Sequence, residues 1–122
     1  MKLLVIDDNH DITDVVGFYC DSKGLDCTVI NDGNDGLNLM RDNNDFDLIL
    51  LDLAMPDFTG LDVINSLKKE NLLEQKKIVV FTASSDPKVM EEIRNSGVKG
   101  ILKKPCSVDD LTALIEKFRK ND

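Results

Sequence analysis

Five short apolar runs, each continuous rather than alternating, constrain this chain more than any other feature: Leu3–Ile6, Cys27–Ile30, Leu48–Leu51, Ile78–Phe81 and the shorter Ile101–Leu102. Continuous runs of this length suit strands covered on both faces. Between them the apolar residues fall at helical spacing: Ile12, Val15, Val16 and Tyr19; Leu61, Ile64 and Leu67; Val89, Met90 and Ile93; Leu111, Leu114, Ile115 and Phe118. Each such stripe gives a helix one face to lay on a sheet. A second helix is marked more weakly, by Leu37, Leu39 and Met40 with Gly36 inside it. Pro87 after Asp86 fits the first turn of the fourth helix and Gly97 its stop, while Ser107 with Asp110 resembles an N-cap pair for the fifth. Five alternations of strand and helix require right-handed crossovers, and so a parallel sheet with helices on both faces. The expectation is a doubly wound α/β fold.

The length of 122 residues suits a single domain spanning 1–122, and 42% hydrophobic with 31% charged residues is enough to build a core. Lys and Arg number 15 against 23 Asp and Glu, a net charge of −8 that repels nucleic-acid phosphate and anionic lipid. Direct nucleic-acid binding is therefore disfavoured. No apolar run approaches the roughly 20 residues of a membrane span, so no membrane insertion and a cytoplasmic location are expected. Cys20, Cys27 and Cys106 form no C-x-x-C pair and have only His10 to complete a metal set, so they read as small apolar residues. His10 itself reads as exposed in a loop entering the first helix. The run Asp42-Asn43-Asn44-Asp45 reads as a solvated connection.

In a parallel sheet all carboxyl-terminal strand ends share one edge, and ligands sit there where the strand order reverses. Asp7 and Asp8 follow the first strand, Asp52 the third, Thr82 the fourth, and Lys103 and Lys104 the fifth. Three carboxylates in one crevice raise at least one pKa or demand a cation. All-oxygen ligands with open positions favour Mg2+. Asp52, ionised near neutral pH, needs no base to attack an electrophilic phosphorus, and the product is an acyl phosphate. A Thr82 hydroxyl can hold one phosphoryl oxygen and the Lys104 ammonium can neutralise another.

These residues fall in a pattern that resembles the receiver domain of two-component response regulators over essentially the whole chain. Val5-Ile6-Asp7-Asp8-Asn9 is similar to the family's acidic pair. Leu51-Asp52-Leu53-Ala54-Met55-Pro56 followed by Gly60 is similar to its phosphoacceptor segment, Phe81-Thr82-Ala83-Ser84 to its hydroxyl position, and Lys104-Pro105 to its lysine-proline pair. The resemblance implies a flavodoxin-like (βα)5 sandwich with strand order 2-1-3-4-5. It implies Asp52 as the phosphorylated residue, Asp8 as a direct Mg2+ ligand, Asp7 acting through water, and the Ala54 carbonyl completing the protein's share of the metal. Thr82 and Lys104 then grip the phosphoryl group, with Lys103 as the competitor for the lysine role; the Lys104–Pro105 bond is cis in many members. The implied partners are a sensor histidine kinase or phosphotransfer protein and a downstream protein docking on the face of helix four, strand five and helix five. On this reading the chain is a signalling domain that catalyses its own aspartyl phosphorylation and dephosphorylation, rather than an enzyme acting on other molecules.

Two departures stand out. Ile101 lies where receivers often carry an aromatic switch residue, and Cys106 where Phe is frequent after the lysine-proline pair. Three other readings compete. A haloacid-dehalogenase-type phosphatase places an Asp two residues after its nucleophile, where this chain has Ala54. A flavodoxin-like electron carrier needs a first loop that welcomes phosphate, where Asp7, Asp8 and Asp11 would repel it. A receiver-shaped module that is never phosphorylated would not need all the functional positions filled.

Overall fold

The computed structural model describes residues 1–43 and 45–119, so Asn44 of the polar run and Lys120, Asn121 and Asp122 lie outside the described residues. Along the chain come β1 (Lys2–Ile6), α1 (His10–Lys23), β2 (Asp26–Ile30), α2 (Gly33–Asp42), β3 (Leu48–Asp52), α3 (Gly60–Lys69), a 3₁₀ turn at Leu73–Gln75, β4 (Ile78–Thr82), α4 (Pro87–Arg94), β5 (Gly100–Lys103) and α5 (Val108–Phe118). The strands pair in parallel in the order β2-β1-β3-β4-β5. This is the doubly wound α/β arrangement expected from the alternation of strands and helices.

Successive side chains on a strand leave opposite faces, so each continuous apolar run feeds two cores at once. Leu4, Ile6, Ile49, Leu51, Ile78 and Val80 pack under α2, α3 and α4, with Val63, Ile64, Leu67, Met90 and Ile93 from the helices. Leu3, Val5, Leu48, Leu50 and Val79 pack under α1 and α5, against Val16, Cys20, Leu111 and Ile115. Helix ends follow local chemistry. Asn9 accepts from the Asp11 and Ile12 N–H groups, and Gly24 ends α1 with a left-handed φ of 69°. Thr59–Asp62 and Ser107–Asp110 each close a reciprocal capping box on α3 and α5.

Four details differ from the sequence expectations. The second and fifth runs are edge strands and only half-buried, because each has a neighbour on one side only. Val15 is exposed rather than part of the buried stripe of α1, since Thr13, Val16 and Cys20 occupy the sheet-facing arc. The helix begins at His10 itself, which is exposed, because the Asn9 cap starts it there. Finally α4 ends at Arg94, and Gly97, at φ 110°, serves the turn that follows. The glycine inside α2 has a steric reason: a Cβ at Gly36 would lie 2.6 Å from Ile6 Cδ1.

Lys76 is an unexpected core residue. Only 3% exposed, it donates to the Met40 carbonyl and, at 3.2 Å, to the Asn43 carbonyl, so it satisfies acceptors left over at the end of α2. Replacing it with Met is expected to cost about 1–3 kcal/mol in urea unfolding, because the buried Met40 carbonyl loses this donor while staying out of water. Burial holds the Lys76 ammonium below the ordinary lysine range. Between its folded value and the ordinary one the unfolded chain binds more protons, so this group adds stability as pH rises through that window. The stability gap between wild type and Lys76→Met should therefore widen at alkaline pH.

Candidate functional site

The crevice at the carboxyl-terminal edge lies where β1 and β3 part toward opposite sides of the sheet, and its volume is about 510 Å³. Asp7, Asp8, Asp52, Ala54, Thr82, Ser84 and Lys104 all line it. Strand parity explains the placement. Asp52 follows the parity of Leu48 and Leu50, and Lys104 that of Leu102, so both project on the α1/α5 side. Thr82 follows Val80, and Lys103 follows Ile101, toward the α4 side.

Asp7 and Asp52 are 1% and 4% exposed, and a single cation joins them: Lys104 Nζ is 2.7 Å from Asp7 Oδ2 and 3.2 Å from Asp52 Oδ1. The same ammonium stands 5.0 Å from the centre of the Phe81 ring. Asp7 is committed on both oxygens, because Oδ1 accepts from the Asn9 N–H at 2.9 Å. Asp8, half-buried, has no hydrogen-bond or ion-pair partner among the described residues. Burial above all, and then the Asp7 charge, push the Asp52 carboxyl above its ordinary value; Lys104 and the Ala54 N–H, at 3.4 Å, pull the other way. The Thr82 hydroxyl accepts from the Ser84 N–H at 3.0 Å.

One carboxylate oxygen from each of Asp7, Asp8 and Asp52 can be chosen such that all lie within 4.8 Å of one another. Three anionic oxygens at that spacing, two of them buried, suit a hard divalent cation and leave sites open for water. Lys103 is directed elsewhere, onto the Ser84 carbonyl, and His10 stands outside the crevice lining. The Lys104–Pro105 peptide is cis.

Two supporting roles escape a reading of motifs. Asn31, just beyond β2, donates to the Asp7 carbonyl at 2.8 Å and steadies the acidic loop. Phe81 lies beneath the Lys104 ammonium. A polar residue at the end of the strand next to β1 was the only available sign of the first, and parity with Asp52 the only sign of the second.

Fold and site together define a class: doubly wound α/β domains whose carboxyl-terminal edge gathers three acids around a lysine. The chain belongs to the response regulator receiver domain family, whose model matches residues 3–116. It is 31% identical to the aerobic respiration control sensor protein ArcB of Escherichia coli over 118 residues, 97% of this chain and 15% of that protein. It is 30% identical to the DNA-binding response regulator MtrA of Mycobacterium tuberculosis over 122 residues, 99% of this chain and 52% of that one. The chain thus spans about half the length of the regulator and a small part of the sensor. The receiver domain of a Francisella response regulator superimposes with a TM-score of 0.83 at 29% identity, covering 96% of this chain and 94% of that one. Receivers of this family are the phosphorylatable domains of two-component systems. No helix among the described residues is long and apolar enough to cross a membrane.

Proposed function

We propose that Asp52 accepts a phosphoryl group from a phosphohistidine on a sensor kinase or phosphotransfer protein, and that the modified domain changes its affinity for a downstream protein. The observation that carries this reading is the triad of acids, two of them buried, with Lys104 bridging those two. An Asp52 oxygen forms the new bond to phosphorus while the bond from phosphorus to the histidine nitrogen breaks, and that nitrogen keeps the electron pair. Lys104 holds Asp52 in its nucleophilic, ionised form and faces the charge that develops on the phosphoryl oxygens. Thr82 offers a hydroxyl to a second oxygen. Asp8 and Asp52, the Ala54 carbonyl, and Asp7 through water would hold Mg2+, which when bound lessens repulsion between the attacking and transferring anions. Ala54, with no acidic side chain, leaves the phosphatase alternative without its acid.

The test is phosphoryl uptake from a small phosphodonor, followed by intact mass. Wild type should gain one phosphoryl group only with Mg2+ present, and a chelator should abolish the gain. Asp8→Ala should raise the Mg2+ requirement about tenfold or more. Uptake unaffected by chelation would defeat the reading.

An apolar surface beside the crevice supports a protein as donor. Phe18 is 74% exposed and, with Val15 and Val108, lines a groove between α1 and the start of α5 that also reaches Lys104. Phe18→Asp is expected to slow transfer from the protein donor about tenfold while leaving uptake from a small donor unchanged. The output face proposed for α4, β5 and α5 carries a second groove, floored by Pro87, Met90 and Ile101. Ile101 fills that position without a ring. The added charge of about −1.5 to −2 at Asp52 is the signal such a face would answer to.

A further inference from the structure

Lys103 and Lys104 are consecutive, and the pleat sends them to opposite faces of the sheet. Lys104 serves the acids. Lys103, exposed at the last position of β5 and in register with Thr82, donates instead to the carbonyl oxygen of Ser84. The N–H of that same Ser84 donates to Thr82 Oγ1 at 3.0 Å.

A hydroxyl has one proton to give and two lone pairs. The Ser84 N–H takes one lone pair and so fixes the directions left to the Thr82 proton, on an atom in the wall of the Asp52 crevice. That N–H belongs to the Ala83–Ser84 peptide, whose orientation therefore bears on where Thr82 aims, and the Ser84 carbonyl lies in the next peptide, joined to it through the Ser84 Cα. Residues 83–86 belong to no helix or strand, so no ladder of backbone bonds holds that orientation. Lys103 reaches this segment from the neighbouring strand, on the carbonyl of the residue whose N–H orients Thr82. A charge-assisted bond at that point is stronger than a neutral one.

We propose that Lys103 is a positioning residue for phosphoryl uptake: by holding Ser84 it keeps the Thr82 hydroxyl aimed into the crevice. This rests on the reading of Asp52 as the phosphoacceptor. Lys103 neither touches the phosphoryl group nor binds metal. Its effect should therefore pass entirely through Thr82.

The experiment measures initial rates of uptake from acetyl phosphate at saturating Mg2+, by intact mass, with Mg2+ affinity measured separately. Lys103→Met should lower the rate about three- to ten-fold, the scale of a loosened rather than a deleted donor. Its Mg2+ affinity should match wild type, because the three acids are untouched. Lys103→Arg, which keeps a cationic donor, should restore the rate to within about twofold. In a Thr82→Ala background, Lys103→Met should add less than a further twofold, since coupled positions are not additive. A wild-type rate in Lys103→Met, or the same factor lost in both backgrounds, overturns the proposal. Wild-type protein that takes up no phosphoryl group at Asp52 would overturn the reading of function instead, so the two failures are separable.

Discussion

Gly60→Ala should lose at least about 3 kcal/mol of stability, more than typical core overpacking costs. A Cβ at Gly60 would sit 2.2 Å from the Asp52 carbonyl oxygen and 2.8 Å from Leu53 Cα. Both obstacles are backbone, so no side-chain rotation can clear them. The α3 N-terminus must back away from the end of β3, which breaks the 3.1 Å bond from the Gly60 N–H to the Leu53 carbonyl. Against a domain stability of about 5–15 kcal/mol, this places the variant near the edge of folding at physiological temperature. The displacement falls on the residue that carries the nucleophile, so the folded fraction should also take up phosphoryl groups at least about tenfold more slowly. Urea unfolding with uptake measured at low temperature separates the two effects. A variant within about 0.5 kcal/mol of wild type would show that the strand end yields more easily than its contacts indicate.

Lys104→Met should cost about 3 kcal/mol and slow uptake about 100-fold. Asp7 and Asp52 are both out of water, and Lys104 is the ion-pair partner each has within 4.0 Å among the described residues. Taking it away leaves two carboxylates facing each other without their cation. Added Mg2+ should return part of the lost stability, because it binds the folded acids and not the unfolded chain. Lys104→Arg should not restore the rate, since a larger, planar guanidinium does not take the position of a compact ammonium set 2.7 Å from Asp7 and 3.2 Å from Asp52. The measurements are unfolding with and without Mg2+, and initial rates. Equal stabilisation of wild type and variant by Mg2+ would contradict this view of the pocket.

Much of this was legible in the chain itself. Runs such as Leu48–Leu51 report their burial directly, because both faces of a central parallel strand need apolar residues. Edge strands break that rule: β2 reads like the others yet has Val29 exposed, and composition alone does not say which strand lacks a neighbour. The acids Asp7, Asp8 and Asp52 were visible because a parallel sheet brings its strand ends to one rim. Parity excludes one of two adjacent lysines but does not name it; that requires the strand register, Thr82 opposite Lys103. Val15 and Phe18 were hidden for a different reason. Helical spacing identifies an apolar arc but not its centre, and on α1 that centre is Val16 and Cys20. The roles of Asn31, Lys76 and Gly60 depend on contacts between distant segments, so the chain displays the residues, Gly60 even within the phosphoacceptor segment, without displaying what they touch.

On the proposed function, one carboxylate among the three at the rim becomes the acyl phosphate. Borohydride trapping after incubation with a small phosphodonor and Mg2+, followed by peptide mass mapping, locates it directly. The modification should appear at Asp52 alone and disappear in Asp52→Asn. A label on Asp8 or His10, or full uptake by Asp52→Asn, would contradict the account.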